Sequence, residues 1–305
     1  MEAAVILQQM CVILVLVVIG IWLYKIHILN DGTAKNLSWI IVNICNPMTL
    51  LSMVTGGTIT TTHSDFTVGL ILCALLYGFL CLFGMAMPHI LRVRDRDQQR
   101  YYNVITVYTN TGFIGIPLAK ALLSGNEMIY VILCNILFTL VFYSHGILLL
   151  STGKDRFRIR NPINPGIIMA VLALLIYWFD IRLPKPCVSL ITHAGNPTVF
   201  LSMILLGASL AKQPIIKSMK SARLWIFIGI RMIAFPIGLV LLLRTAGTGG
   251  AAVRTYCLMM ALPIANLPLI QSEKEGRDTA FLSQAIMMTT VVSFVTVPLV
   301  MSILF

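Results

Sequence analysis

Two asparagines stand in the middle of long apolar stretches, each inside a short run that contains glycine or proline. A carboxamide can donate hydrogen bonds to a carboxylate while its oxygen accepts one from a backbone N–H. Asn110 and Asn266 are therefore our leading candidates for contact with a polar, negatively charged ligand. The two runs read Asn110-Thr111-Gly112-Phe113-Ile114-Gly115-Ile116-Pro117 and Ala261-Leu262-Pro263-Ile264-Ala265-Asn266-Leu267-Pro268.

Glycine and proline in these runs weaken or remove backbone hydrogen bonds where lipid offers no replacement. Unwound backbone at that depth lies buried in protein or lines a wet cavity. If the two runs cross, half-helix N-termini direct N–H groups and partial positive charge at the crossing, which favours an anion. In the alternative interpretation, the glycines and prolines only kink the helices and the asparagines cap local backbone. Besides the two asparagines, the candidate site in these runs comprises Thr111, Gly112, Gly115, Pro117, Pro263, Ala265 and Pro268.

Three further polar residues are candidates. Arg231 is the one formally charged residue well inside an apolar block. It either adds positive potential to the site, holds the crossing helices through backbone carbonyls, or snorkels to the membrane interface. Ser52 and Ser202 either face the crossing or bond back to their own helices. For the Asn-Pro pairs at 46–47 and 196–197, the spacing does not separate a ligand contact from a kink, and we favour the kink.

The chain that must position these residues is too apolar for a soluble domain. Of its 305 residues, 58% are hydrophobic and 11% are charged, and the apolar residues form blocks of about 20, the length that spans a bilayer as a helix. The sequence predicts an all-α membrane protein with ten transmembrane helices. The blocks are Ala3–Tyr24, Leu37–Thr55, Phe66–Leu91, Tyr101–Leu123, Met128–Leu150, Pro165–Leu183, Val188–Leu210, Leu224–Leu243, Ala251–Ile270 and Ala280–Phe305.

The net charge of +11 comes mainly from lysines and arginines in short loops between the blocks. That pattern marks cytoplasmic loops rather than a nucleic-acid partner. It predicts a multi-pass protein of the cell inner or plasma membrane with both termini outside. The seven cysteines lie mostly within apolar blocks and form no C-x-x-C pair, so neither disulfides nor a zinc site is expected.

The two halves of the chain, residues 1–150 and 151–305, repeat with an offset near 150 residues. The run after Asn46-Pro47 aligns with the run after Asn196-Pro197, and Pro268 follows Pro117 by 151 residues. Each half holds five blocks, and an odd number inserts the second copy in the opposite orientation. Inverted repeats with interrupted helices in matching positions, here helices 4 and 9, are typical of secondary transporters.

Several functions are not supported by the sequence. It contains no H-E-x-x-H, no G-x-S-x-G, no paired catalytic aspartates and no glycine-rich phosphate loop, so we expect neither an enzyme nor an ATP-driven pump. Every Asp and Glu falls in a loop or at a block end, which leaves a carboxylate proton relay without support. We expect no cofactor and no metal, and whether Na+ or H+ is coupled to transport stays open.

The crossover runs, Asn110-Thr111 with Gly115-Ile116-Pro117 and Ala261-Leu262-Pro263 with Pro268, resemble those of the auxin efflux carrier family. The start of the chain is similar as well, in Gly20, Ile28-Leu29, Leu37-Ser38 and Pro47. The resemblance implies ten helices in two inverted repeats, like those of sodium-bile acid symporters, with a scaffold of helices 1, 2, 6 and 7. Helices 3–5 and 8–10 would form a transport domain that carries an organic anion at the crossing by an elevator mechanism.

The resemblance also implies that Asn110 contacts substrate and that the scaffold mediates a homodimer. The ninth block departs from the plant pattern at residues 264–267, and only residues 151–164 replace the long loop of many plant carriers. We therefore expect a carrier for a small carboxylate in a lipid bilayer. The alternatives are an anion channel that uses the same crossing and a membrane receptor that binds without transport.

Overall fold

The computed structural model describes residues 3–55, 61–123, 125–151, 165–211, 221–245, 247 and 250–305. Within these ranges the chain is helical and forms no β-strand, which confirms the all-α prediction. The basic loop residues predicted in 152–164 and 212–220 lie outside them. The helices are α1 (Ala3–Lys25), α2 (Asp31–Thr55), α3 (His63–Ile90), α4 (Arg96–Val107), α5 (Thr111–Leu122), α6 (Gly125–Leu150), α7 (Pro165–Trp178), α8 (Lys185–Ala211), α9 (Ala222–Thr245), α10 (Gly250–Ala261), α11 (Leu267–Lys274) and α12 (Ala280–Leu304).

Six of these helices, α2, α3, α6, α8, α9 and α12, are long and apolar enough to cross a membrane. Each has 24 to 28 residues, which at about 1.5 Å per residue exceeds the roughly 30 Å of a hydrocarbon core. Shorter apolar segments lie in α1, α5 and α7. Large apolar side chains point outward, among them Leu75, Leu82, Leu148, Phe179 and Leu190, as a lipid-facing exterior requires.

Glycines let α1 and α8 pack backbone against backbone. A Cβ atom on Gly20 would meet the carbonyl of Ile204, and one on Gly207 would meet the carbonyl of Val17. Small residues at a helix contact allow this approach in a membrane, where packing replaces the hydrophobic effect as the source of association.

A polar contact ties α2 to α8 at mid-height. The buried Thr49 hydroxyl donates to the Gly195 carbonyl at 2.9 Å and lies 2.7 Å from the Thr198 hydroxyl. A Cβ atom on Gly195 would lie 3.0 Å from the Thr49 nitrogen. Helix α7 packs on the other face of α2, so α1, α2, α7 and α8 form one packed group.

A second group contains α3, α4, α6, α9, α10 and α12, and polar contacts join its members. The Tyr256 hydroxyl in α10 donates to the Gly69 carbonyl in α3 at 2.6 Å. Arg254 in α10 pairs with Glu127 in α6 at 2.5 Å, where the carboxylate side chain is only 4% exposed. Arg277, between α11 and α12, donates to the last carbonyl of α6 at 2.7 Å. These bonds hold the second group together at both of its ends.

Among the residues that the structure describes, four short π-helical turns interrupt the α-helical geometry. A π turn accommodates one extra residue and rotates the helix that follows, and such turns are common at functional sites. They lie within α2, at the start of α5, within α6 and within α9, at Ile41–Cys45, Thr111–Gly115, Phe142–Gly146 and Gly229–Ala234.

Candidate functional site

Two broken helices cross at the centre of the molecule. The chain leaves helical geometry over residues 108–110, between α4 and α5, and over residues 262–266, between α10 and α11. The two extended segments meet in an isolated antiparallel bridge between Thr109 and Ile264. The Thr109 hydroxyl also donates to the Met259 carbonyl at 3.0 Å. The structure thus joins the two interrupted runs.

Backbone hydrogen bonds run in both directions across this bridge. The Asn110 N–H donates to the Pro263 carbonyl at 2.8 Å, and the Ala265 N–H donates to the Tyr108 carbonyl at 3.0 Å. Backbone groups that lie outside a helix within a membrane need such partners, because lipid provides none. Each broken segment therefore satisfies part of the backbone of the other.

Arg231, in the π turn of α9, binds both broken helices just before they end. Its Nε donates to the Thr106 carbonyl at 2.6 Å and its Nη1 to the Met260 carbonyl at 2.7 Å. The side chain is 2% exposed, and its guanidinium lies 4.9 Å from the Phe235 ring centroid. Helix C-termini carry partial negative charge, so this cation stabilises the ends of α4 and α10 together.

A cavity of about 270 Å³, here called the first cavity, lies beside the N-termini of α5 and α11. Four polar side chains on its wall have unused hydrogen-bonding capacity: Asn46, Asn110, Thr111 and Asn266. The Asn46 Oδ1 and Thr111 Oγ1 atoms are buried without a hydrogen-bond partner in the described part of the chain. Asn110 uses its Oδ1 atom to cap α5 through the Phe113 N–H at 3.0 Å, and its amide nitrogen makes no bond to the described residues.

The remaining wall of the first cavity is mainly apolar, and no Asp, Glu, Lys or Arg of the described residues lines it. A bound charge there would be stabilised by neutral donors and by the partial positive charge of two helix N-termini. Apolar surroundings strengthen each of these interactions relative to water. The apolar and aromatic lining includes Val42, Leu50, Ile136, Phe138, Leu267 and Ile270.

A second cavity of about 420 Å³ adjoins the first. Four residues, Ser38, Phe113, Asn266 and Ile270, line both. The second cavity lies between α2, α8, α11 and α12, and its polar lining is Asp31, Lys35, Ser38, Ser202, Ser209, Asn266, Ser283 and Thr290.

An apolar layer follows the second cavity along α8 and α12. It encloses only about 10 Å³, a volume close to that of a single probe sphere and too small for a hydrated path. Its one polar side chain, Ser293, donates to the Thr290 carbonyl at 2.7 Å. The residues around this void are Ile13, Ile114, Leu118, Met203, Leu206, Ser293, Phe294 and Val297.

The structure brings five of the predicted site residues together on the first cavity: Asn110, Thr111, Gly112, Ala265 and Asn266. Ser202 lines the second cavity. The others line neither cavity; they are Gly115, Pro117, Pro263, Pro268, Ser52 and Arg231.

The residues outside the cavities have structural contacts instead. A Cβ atom on Gly115 would lie 2.8 Å from the Leu262 side chain, so this glycine allows the broken segments to pack closely. The Ser52 hydroxyl donates to the Thr49 carbonyl of its own helix at 2.8 Å, which is the back-bonding alternative. Arg231 holds the crossing through carbonyls and reaches neither cavity.

Asn46 is the main residue that the sequence interpretation missed. We interpreted its Asn-Pro pair as a kink, whereas the structure places the side chain on the first cavity, 3.8 Å from an ideal Cβ on Gly112. The matching Asn196 lies elsewhere, exposed, with its Oδ1 accepting from Lys120 at 3.0 Å. Ser38, Asn135, Thr139 and Tyr143 also line the first cavity and had no distinguishing signal in the sequence.

Together, the apolar helices, the two crossing breaks and the first cavity beside them define a multi-pass helical membrane protein with a ligand-sized site. Comparison with known families gives the class a name. Residues 5–164 and 155–301 match the family described as membrane transport protein. The chain belongs to this family, which contains the auxin efflux carriers, and the resemblance inferred from the crossover runs is confirmed.

Two similar archaeal proteins extend the match over nearly the whole chain. One, from Methanocaldococcus jannaschii, is 23% identical over 301 residues, covering 94% of this chain and 95% of that protein. The other, from Methanothermobacter thermautotrophicus, is 24% identical over 293 residues, covering 94% of each. Both are described as uncharacterized transporters. Membership of a transporter family favours transport over catalysis.

Proposed function

We propose that this protein is a secondary transporter for a small organic anion with a carboxylate group, and that the anion binds in the first cavity. One observation carries the proposal: the Thr111 hydroxyl is buried without a partner in the described part of the chain, and Asn46, Asn110 and Asn266 bring carboxamides, whose N–H groups can donate to a carboxylate, to the same cavity. Unpaired buried polar groups cost about 1–3 kcal/mol each. A carboxylate accepts hydrogen bonds, so it recovers that free energy at the Thr111 hydroxyl, whereas the Asn46 Oδ1 atom is itself an acceptor and needs a donor.

The charge distribution around the crossing supports an anion rather than a cation. Cations are favoured at helix C-termini and anions at helix N-termini. Arg231 already occupies the C-terminal ends of α4 and α10, whereas the first cavity lies at the N-terminal ends of α5 and α11. A carboxylate in the first cavity would place negative charge at the N-terminal ends of α5 and α11, opposite the Arg231 cation at the C-terminal ends of α4 and α10.

We further propose that transport follows an elevator mechanism. In this proposal, ten spans form two inverted repeats, with α1, α2, α7 and α8 as scaffold and α3–α6 with α9–α12 as the moving domain. Polar contacts within each group support it, because the Thr49 hydroxyl ties scaffold helices and Arg231, Tyr256 and Arg254 tie helices of the moving domain. The Tyr177 hydroxyl of α7 also donates to the Thr61 carbonyl, just before α3, at 2.6 Å. A bond between the two groups, from Lys120 to Asn196, lies at an exposed position.

The proposed location is the plasma membrane, with both termini outside and a homodimer formed through the scaffold. The excess of basic residues in alternate loops supports the orientation. The second cavity would then open toward the cytoplasm, because the start of α2 and the end of α8 line it. Transport would need no cofactor, and a comparison of uptake with and without Na+ or a pH gradient would identify the coupling ion.

Counterflow in proteoliposomes tests the proposal. Wild-type protein is expected to exchange a labelled carboxylate, and Asn110→Ala and Asn46→Ala are each expected to lower its apparent affinity. A hydrogen bond to a charged group contributes about 1.5–3 kcal/mol, or roughly 10- to 150-fold in affinity. Asn43→Ala is the matched control, because Asn43 lies on the same helix as Asn46 but bonds to the Trp39 carbonyl and lines neither cavity.

Equal exchange by wild type and Asn110→Ala would remove Asn110 from the site. The same vesicles separate the other two functions considered from sequence. Flux that neither saturates nor shows trans-stimulation would indicate an anion channel, and binding without flux would indicate a receptor.

A further inference from the structure

A histidine next to the crossing has a ring nitrogen that the fold leaves unused. His145 lies in the π turn of α6 at Phe142–Gly146, and its Nε2 atom is buried without a hydrogen-bond partner in the described part of the chain. The side chain as a whole is half-buried, whereas the other four histidines, His27, His63, His89 and His193, are exposed. Imidazole is the side chain whose charge ordinarily changes between about pH 5 and 8. The Nε2 atom is therefore a candidate for proton binding inside the membrane.

The other ring nitrogen determines where that proton binds. The His145 Nδ1 atom lies 3.0 Å from the Tyr108 hydroxyl, and this hydroxyl donates its single proton to the Val141 carbonyl at 3.0 Å. Nδ1 must then donate to the tyrosine oxygen, so the unpartnered Nε2 of the neutral ring holds a lone pair rather than a hydrogen. A proton from water that binds this lone pair converts imidazole to imidazolium and adds one positive charge, and no other bond forms or breaks.

Tyr108 connects His145 to the crossing and to the first cavity. The Tyr108 carbonyl accepts from the Ala265 N–H across the bridge at 3.0 Å. Its ring meets the Phe138 ring edge-on, with 5.6 Å between the centroids, and Phe138 lines the first cavity. A Cβ atom on Gly146 would lie 3.1 Å from the Tyr108 ring, so this glycine lets the π turn pack closely against the tyrosine. Two aromatic rings in contact therefore link His145 to the proposed anion site.

The described residues provide no free counter-charge for an imidazolium at this position. The two carboxylates around the pair already have partners, because Asp97 pairs with Arg277 at 3.0 Å and Glu275 accepts from Gln271 at 3.2 Å. Tyrosine and cysteine are neutral near pH 7, and Arg231, bound to the Thr106 carbonyl, is a cation that disfavours a second one. The titratable and charged groups on the elements around His145 and Tyr108 are Tyr77, Cys81, Asp97, Tyr143, Arg231, Glu275 and Arg277.

A carboxylate in the first cavity would supply the missing negative charge. Charges interact more strongly in apolar surroundings than in water, so the bound anion favours the charged form of His145. By linkage, a proton on His145 favours the bound anion to the same extent.

We infer that the Nε2 atom of His145 is a proton-binding site, and that each carboxylate bound in the first cavity is accompanied by uptake of a proton there. The inference rests on the proposed function, because the bound carboxylate supplies the counter-charge, and it deepens that function by naming H+ as the coupling ion. His145 lies five residues before Leu150, the last residue of α6, or about 7–8 Å along the helix. In the proposed orientation that end of α6 faces the cytoplasm, so the proton enters from the cytoplasmic side.

Calorimetric titration of the purified full-length protein in detergent tests this inference. Titrations in buffers of different ionisation enthalpy count the protons taken up for each carboxylate bound. The probes are acetate, butanoate, hexanoate and benzoate, which stay ionised from about pH 6 to 8 because carboxyl pKa values lie near about 4. With wild-type protein, at least one probe is expected to bind with net proton uptake, and to bind about 5-fold or more tightly at about pH 6 than at about pH 8.

The variant His145→Gln removes the titratable nitrogen and keeps a neutral polar side chain. It is expected to take up no proton and to bind the probe at both pH values with the affinity that wild-type protein shows at the higher pH. That retained binding shows that the variant is folded. His193→Gln is the matched control, because His193 is exposed, donates to the Ser189 carbonyl of its own helix at 2.8 Å and lines neither cavity. The control is expected to keep the proton uptake of wild-type protein.

The results separate this inference from the proposed function. Carboxylate binding by wild-type protein without proton uptake refutes the proton site but leaves the first cavity as a carboxylate site. Proton uptake that persists in His145→Gln, or that His193→Gln abolishes to the same extent, also refutes the assignment to His145. Absence of binding by every probe refutes both the proton site and the proposed function.

A second variant keeps the test decisive if His145→Gln does not fold. Tyr108→Phe keeps the ring that packs on Phe138 but removes the hydroxyl that holds Nδ1. We expect the pH at which carboxylate affinity changes to move in this variant, and an unchanged pH dependence refutes the role of the pair.

Discussion

Replacing Arg231 by methionine removes the one side chain that holds both broken helices at their C-terminal ends. Methionine fills a similar volume but donates no hydrogen bond, so the Thr106 and Met260 carbonyls lose partners at 2.6 and 2.7 Å. Each orphaned buried carbonyl costs about 1–3 kcal/mol. The sum is about 2–6 kcal/mol. The net loss lies toward the lower end of this range, because methionine also removes the cost of burying the guanidinium charge.

Thermal unfolding in detergent measures this loss. At about 2 °C per kcal/mol for a chain of this size, the melting temperature of Arg231→Met is expected to fall by roughly 4–10 °C. Arg231→Lys keeps the charge but not the planar fork that reaches two carbonyls, and we expect about half the effect. Arg244→Met is the control, because Arg244 lies near the end of the same helix and donates to the Leu304 carbonyl near the C-terminus of the chain.

Carboxylate affinity provides a second test of the role of Arg231. If Arg231 positions the crossing, Arg231→Met lowers the affinity of a carboxylate for the first cavity even though Arg231 does not line that cavity, and Arg231→Lys restores part of it. An Arg231→Met protein with the melting temperature and the carboxylate affinity of wild type would refute the positioning role.

Two other perturbations follow from contacts between helices. Gly207→Leu places a side chain against the Val17 carbonyl of α1, and overpacking of this kind costs about 1–3 kcal/mol. We expect its melting temperature to be lower than that of Gly238→Leu, because a Cβ atom on Gly238 meets nothing within 4 Å. Equal melting temperatures for the two variants would contradict this expectation. Lys120→Met removes the exposed bond to Asn196, which contributes about 0.5–1 kcal/mol to the conformation described here. If that bond must break for the proposed domains to move, the counterflow rate rises about 2- to 5-fold, and an unchanged rate would argue against a tether.

The crossing was predictable because its signal is chemical and local. Glycines and prolines in the middle of apolar runs break or weaken backbone hydrogen bonds wherever they lie. Two such runs at matching positions of the two repeats indicate a pair of interrupted helices. Asn110 and Asn266 followed from that signal, and the structure places both on the first cavity. The all-α membrane class likewise followed from apolar block lengths alone.

The direction in which other side chains point was not predictable, because it depends on helix register. The π turn at Ile41–Cys45 immediately precedes Asn46 and rotates the residues that follow it. Arg231 lies inside another π turn, at Gly229–Ala234. A period of 3.6 residues counted from the start of α2 therefore misplaces the face of Asn46, and one counted through α9 misplaces the face of Arg231, whose three orientations stayed open.

The apolar layer between α1, α5, α8 and α12 has an energetic consequence for leakage. Its cavity holds only about 10 Å³, so an anion entering it from the polar side would lose its hydration and gain no counter-charge. The penalty for an unpaired ion in such surroundings is at least several kcal/mol, and each 1.4 kcal/mol slows passage tenfold. In the conformation described here, an anion therefore finds no favourable path through this apolar contact.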